Sequence, residues 1–266
     1  MPSNIVYGPQ VVVDSDLALW YDMASPKCWN GNSNITTEIY NLAPQRDTYP
    51  KMGWDATSTD RTGFGFYISP NVPLSGNTFQ TIYGATVANN NNYVGNFMEG
   101  AGNLSLTVNN NFTTMAWHAS TFPRQSTLLA YRRASTTLRF SVDSDSMDFY
   151  QRHTSSPYAT QNVTVSHSQP NNVFAHYALV KAGLPNAQQA DFSFYKNGEH
   201  MGTSSLTLSE QIAAGNYYDI GQDWSDDDYY SNNSEGFYGP TMHYTRALSH
   251  AEIRQNFNAL RSRFDV

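Results

Sequence analysis

A chain of 266 residues is long enough to bury a substantial core without a disulfide or a metal, and sandwiches of roughly this size fold as single units. Charged residues are only 14% of the sequence, against about a quarter in ordinary soluble domains, while aromatics reach 14%. A net charge of −7 with only 15 Lys and Arg excludes the basic surface that nucleic acid requires, and the single Cys28 excludes an intrachain disulfide.

In chain order, residues 1–16 read as an extended arm that leads into a first strand, Leu17-Ala-Leu-Trp-Tyr-Asp22. Pro26 and the Asn/Gly/Ser run at 30–34 end that pattern, and the stretch from Asn41 to Asp60, punctuated by Pro44, Pro50 and Gly53, reads as loop. Asn89–Asn92 is a polar loop. Phe112-Thr-Thr-Met-Ala-Trp-His118 alternates as a strand with one buried face does, which places Trp117, like Trp20 before it, in the core. Leu138–Val142 and Met147–Tyr150 flank Asp143-Ser-Asp-Ser146 as the arms of a hairpin. Phe174–Val180 is a further strand, and Asp191–Tyr195 runs into Asn197-Gly198, a dipeptide suited to the positive φ angles of a type I′ turn.

One helix is expected. Ser249-His-Ala-Glu252 has the form of a capping box, and Ile253, Phe257, Leu260 and Phe264 recur on one face, a stripe that predicts docking onto a sheet. Short strands separated by turn signals, with no strand–helix alternation, predict an all-β fold, a sandwich or a barrel, with a short C-terminal helix. The N-terminus lacks a basic segment followed by an apolar run, and no apolar stretch approaches the length of a membrane span, so synthesis in a reducing cytoplasm without Sec export is the expectation, and no membrane insertion. The sequons at Asn34, Asn103, Asn111, Asn162 and Asn232 then read as by-products of composition.

These landmarks resemble the laminin-G/pentraxin-like branch of the concanavalin A-like lectin and glucanase superfamily, which implies an antiparallel β-sandwich of the jelly-roll type over residues 17–266. The resemblance rests on the opening strand at 17–22, on Phe112-Thr-Thr-Met-Ala-Trp117, and on Phe174-Ala-His-Tyr-Ala178 with Phe174 where Trp is usual. It continues through Phe194-Tyr-Lys-Asn-Gly198, Ile220-Gly221 and Phe237-Tyr-Gly239, and is sharpest at Tyr244-Thr-Arg-Ala-Leu-Ser249 with Glu252-Ile253. Asp22-Met-Ala-Ser-Pro-Lys27 and the ending Gln255–Phe264 look like laminin-G-type virion proteins of tailed bacteriophages, cyanophages in particular. That resemblance implies a non-enzymatic virion component of capsid, tail or fibre, with other virion proteins as partners and assembly into an oligomer. It further implies adhesion to a host-surface glycan; the alternative is a free carbohydrate-binding module.

The superfamily's glucanases carry Glu-x-Asp-x-x-Glu on one strand. Asp143-Ser-Asp145-Ser-Met-Asp148 has the same spacing with Asp throughout, but it crosses a predicted turn and so reads as a solvated turn. Asp223, Asp226 and Asp228 beside Trp224, Tyr229 and Tyr230 could hold calcium below an aromatic platform for a sugar; the alternative is a solvated loop. Trp29 and Trp54 in loops could stack on a sugar ring, or fill an interface or core. His118, His176 and His243 show no metal-ligand spacing, and no nucleophile–base pattern, nucleophile elbow or phosphate loop occurs, so no catalytic residue is assigned.

Overall fold

A computed structural model describes residues 10–28, 39–44, 51–52, 66–74, 77–85, 98–101, 110–121, 125–133, 136–153, 159–183, 189–207, 217–221 and 236–266. Their strands, in chain order, are β1 (Leu17–Tyr21), β2 (Ile39–Tyr40), β3 (Lys51–Met52), β4 (Phe66–Leu74), β5 (Asn77–Ala85) and β6 (Met98–Ala101). There follow β7 (Phe112–Ser120), β8 (Ser126–Arg133), β9 (Thr136–Val142), β10 (Ser146–His153), β11 (Ala159–Ser166) and β12 (Ala175–Ala182). The last are β13 (Gln189–Lys196), β14 (Glu199–Thr207), β15 (Tyr217–Ile220) and β16 (Gly236–Tyr244), before helix α1 (His250–Leu260).

Two antiparallel sheets stack face to face. The larger runs β14-β13-β12-β7-β16-β5-β4, with β1 paired to the second half of β16; the smaller runs β11-β10-β9-β8-β15-β6. The expected strands and both expected hairpins are present. Asn197 and Gly198 adopt φ of 50° and 80°, the left-handed pair of a type I′ turn, which matches the right-handed twist of β13 and β14. Within the stretch expected to be loop between Asn41 and Asp60, β3 pairs with β2, which lies just before it, and β4 and β5 form a hairpin whose first strand holds Pro70 and Pro73, residues that hide it from a pattern search.

Strand β7 departs from the expectation of one buried face: all nine of its residues are buried. Phe112 and Ala116 join the core between the sheets, with Leu129, Phe140, Phe149 and Phe192. Met115, Trp117 and Ala119 point the other way, into a second core closed by Ile253, Phe257 and Leu260 of α1 and by Phe264 just beyond it. The Trp117 ring stacks on Phe264 at 4.3 Å and on Phe257 at 5.7 Å. Two faces are dry because the amphipathic stripe of α1 needs a partner as much as the sheet does. Trp20 is half-buried at the margin of this second core rather than within it.

The capping box forms: the Ser249 hydroxyl accepts from the Glu252 amide at 3.4 Å, and Glu252 accepts from the Ser249 amide at 2.8 Å. Residues 10–16 of the arm lie against this helix. The Val12 amide donates to Asn256 Oδ1 at 2.7 Å, and the Tyr244 hydroxyl donates to the Val12 carbonyl at 2.7 Å. Arg246, from the closing Tyr-x-Arg-Ala-Leu-Ser motif, joins arm and helix by donating to Asp14 and Glu252, each at 2.6 Å. Residues 1–9 lie outside the described residues.

Candidate functional site

One end of the sandwich gathers the β9–β10 turn, the segment between β11 and β12, and the Asn197-Gly198 turn. Gly221, whose amide donates to the Thr127 carbonyl at 3.1 Å, and Gly236, paired with Ser120, bring the roots of the 222–235 connection to the same end. All the residues expected to bind sugar or calcium, namely Trp29, Trp54, Trp224, Tyr229, Tyr230, Asp223, Asp226 and Asp228, lie outside the described residues.

The Asp143–Asp148 run lies across the turn, as its spacing predicts. Asp143 Oδ1 accepts from the amides of Asp145 at 2.9 Å and Ser146 at 2.6 Å, and Oδ2 takes the Ser146 hydroxyl at 3.0 Å. Burial works to raise the Asp143 carboxyl, but those hydrogen bonds outweigh it and hold it below the usual carboxylate range. Asp145 is raised, first by its hydrogen bond to Asp143 and then by that neighbour's charge. Asp148 belongs to β10 and points elsewhere: its carboxylate accepts from Thr164 Oγ1 at 2.5 Å, Ser146 Oγ at 2.9 Å and Gln125 Nε2 at 3.2 Å. The run therefore caps a turn and bridges strands; it does not present an acid and a nucleophile along one strand face, as retaining hydrolysis requires.

The three histidines occupy neighbouring central strands without converging. His118, its ring tilted against Tyr238 at 4.7 Å, and His243 face the inter-sheet core, while His176 packs on Trp117 and Phe257 on the helix side. Burial pushes each of them down to about 3, so all are neutral at ordinary pH. Among the described residues no group of three or more His, Cys, Asp or Glu is placed to hold a metal ion. The Cys28 thiol is buried and pushed up to about 12, chiefly by burial, which makes it a poor nucleophile.

The sequence reading missed a polar layer on the outer side of the smaller sheet. Phe140 and Phe149 are paired across β9 and β10 and point into the core, so their neighbours Arg139, Ser141, Asp148 and Tyr150 point outward. The register sets Arg139 opposite Tyr150 and Tyr150 opposite Asn162, then Ser141 opposite Asp148 and Asp148 opposite Thr164. The Arg139 guanidinium lies 4.6 Å from the centre of the Tyr150 ring. Arg139, Ser141 and Asp148 are buried, Tyr150 is half-buried, and Asn162 and Thr164 are exposed. Of this layer Tyr150, Asn162 and Thr164 reach the surface, where an aromatic ring beside amide and hydroxyl groups suits a ligand rich in hydroxyls. The signal was the cross-strand register of the hairpin, readable once Asp143–Ser146 is accepted as its turn.

Fold and face together define a lectin-type sandwich. Residues 95–254 match the laminin-G-type family model of the concanavalin A-like lectin/glucanases superfamily, and the chain belongs to that superfamily. No curated protein matches the sequence. Among solved structures the chain is similar to the binding domain of Paraclostridial Mosquitocidal Protein 1, at 14% identity and a TM-score of 0.57, over 92% of this chain and 52% of that one. It is similar to the binding domain of Botulinum Neurotoxin DC in complex with SialylT, at 10% identity and a TM-score of 0.56, over 92% and 52% of the two chains. The receptor-binding domain of Botulinum Neurotoxin Type G follows at 9% identity and 0.53, over 91% and 51%. The chain thus spans about half the length of those binding domains, and at these identities the likeness establishes the fold.

Proposed function

We propose that this protein is a non-enzymatic adhesion and assembly module, a structural component of a tailed-phage particle whose lectin-type sandwich engages host-surface glycan. The observation that carries binding over hydrolysis is the commitment of the acidic run: the Asp143 carboxylate is occupied by its own turn and Asp148 by Thr164, Ser146 and Gln125. The surface made by Tyr150, Asn162 and Thr164 supports a saccharide as the ligand. So does the similar toxin domain that was solved with SialylT. The particle assignment is supported by the resemblance of residues 22–27 and 255–264 to phage virion proteins.

The test is a glycan array with the purified chain, followed by titration of the best glycan with Tyr150→Ala and Asn162→Ala. A weakening of about tenfold, the loss of one stacking contact or hydrogen bond, is expected for each. Absence of any glycan signal overturns the adhesive part. Failure to find the protein in purified particles by mass spectrometry overturns the structural part.

A calcium-dependent version rests on topology: the acidic segment containing Asp223, Asp226 and Asp228 starts at Gly221 and returns at Gly236, at the end that holds the Asp143 turn. Calcium titration with a calorimetric and a thermal-shift readout decides it; no heat and no shift removes calcium from the reading.

A further inference from the structure

The chain carries a net charge of −7, yet three of its 15 Lys and Arg stand in two adjacent cross-strand rows on the outer side of the smaller sheet. The pleat sets this placement. Tyr131, Leu138 and Phe149 belong to the core between the sheets, so Arg132, Thr137 and Arg152, at odd offsets from them on β8, β9 and β10, share the opposite face with Arg139 and Tyr150.

The two rows differ in charge. In the first, Arg139 is paired with Ala130 on one side and Tyr150 on the other, and the row runs on through Asp219 of β15 to Glu99 of β6, so it contains acids as well as a guanidinium. In the second, Arg132 and Arg152 are both paired with Thr137, one on each side, and the row ends in Tyr217 and Ala101 one way and Thr160 the other. This second row holds two guanidinium residues and no acid. Asp148, which shares the face, already accepts from Thr164, Ser146 and Gln125. Arg152 is two residues on from the half-buried Tyr150 along β10, about 7 Å away, and Thr160 is two residues from the exposed Asn162 along β11. The arginine row is therefore continuous with the surface formed by Tyr150, Asn162 and Thr164.

We propose that the saccharide taken by this face is an acidic one, its carboxylate held by Arg132 and Arg152 while Tyr150 and Asn162 meet the sugar ring. The inference rests on the reading of this face as the glycan site and names the class of glycan. Two strand spacings set the backbones of Arg132 and Arg152 about 10 Å apart, a gap that two long guanidinium side chains span, and Thr137 between them is short enough to leave room for an anion. A carboxylate has the planar geometry that guanidinium groups bind by paired hydrogen bonds, and it supplies the negative charge that this row lacks. A neutral sugar offers neither.

An array in which each uronic-acid- or sialic-acid-bearing glycan is printed beside its own methyl ester tests this with the full, unaltered chain. The ester keeps the sugar's shape and hydroxyls and removes the charge. The free acids should bind at least about tenfold more tightly than their esters, and added salt should narrow the difference. Arg132→Gln/Arg152→Gln should abolish the preference, bringing acid down to the level of ester and leaving ester binding unchanged. Tyr150→Ala should weaken acid and ester alike, and circular dichroism checks that each variant is folded. Acids and esters that bind equally, or a preference that survives in the folded double variant, overturn the acidic ligand and leave glycan adhesion standing. No binding of either form overturns the adhesive reading, and this inference with it.

Discussion

The hydroxyl of Tyr131, on the smaller sheet, lies 2.8 Å from Nδ1 of His243, on the larger, and joins the two layers of the sandwich through the core. The Thr114 hydroxyl reaches the same nitrogen at 2.9 Å, and Phe112 packs on the ring at 5.8 Å. A second such link is the 2.8 Å contact between the hydroxyls of Tyr21 and Tyr218. The sheets are thereby fixed in register by polar groups, in a core whose apolar contacts alone are not directional.

This arrangement makes the fold acid-labile. The folded His118, His176 and His243 are depressed to about 3, whereas in the unfolded chain they titrate near the ordinary histidine value. The unfolded state therefore binds more protons below about pH 6.5, and stability falls as pH falls from there towards 3, by about 1.4 kcal/mol per pH unit for each histidine. Urea unfolding at pH 7, 6, 5 and 4 measures the slope. His243→Gln should lower stability at pH 7 and make the slope shallower; an unchanged slope would contradict a neutral buried His243.

Asp22 and Arg263 form a fork, with Arg263 donating to the two carboxylate oxygens at 2.7 and 3.0 Å. The Asp22 side chain is only 10% exposed, so removing its partner leaves a nearly buried charge. Arg263→Ala should cost about 3 kcal/mol, and Arg263→Ala/Asp22→Asn clearly less, because the second change removes the orphaned charge. Chemical denaturation of the three proteins checks the order.

The capping box gives a smaller effect. Ser249→Ala removes the acceptor for the Glu252 amide and should cost about 1 kcal/mol, while Ser249→Asp should retain most of the stability. Melting curves decide between these, since loss of α1 would also uncover Trp117 and change its fluorescence.

Gly236 tolerates no side chain. A Cβ there would stand 2.4 Å from the Ala119 carbonyl and 2.6 Å from His118 Nε2, against backbone that cannot withdraw. Gly236→Ala should destabilise by at least about 3 kcal/mol, more than Gly183→Ala, whose Cβ would find only ordinary contacts at 3.4 Å. Parallel urea titrations of the two variants test the contrast.

Local signals sufficed for elements whose cause is local. Asn197-Gly198 supplies the φ angles of its own turn, Ser249 and Glu252 cap their own helix, and Asp143 satisfies the amides two and three residues on. Composition and strand spacing then determined the fold class. What required the tertiary structure depends on partners far apart in sequence. Nothing near β7 announces that both of its faces are buried, because the second cover comes from Ile253, Phe257 and Phe264, well over a hundred residues away. The polar layer of Arg139, Ser141, Asp148 and Tyr150 exists through cross-strand register, and so does the row that sets Arg132 and Arg152 on either side of Thr137. Alternation along a strand states which residues share a side; only packing decides what lies against that side, since burial is a property of the whole chain rather than of any one segment.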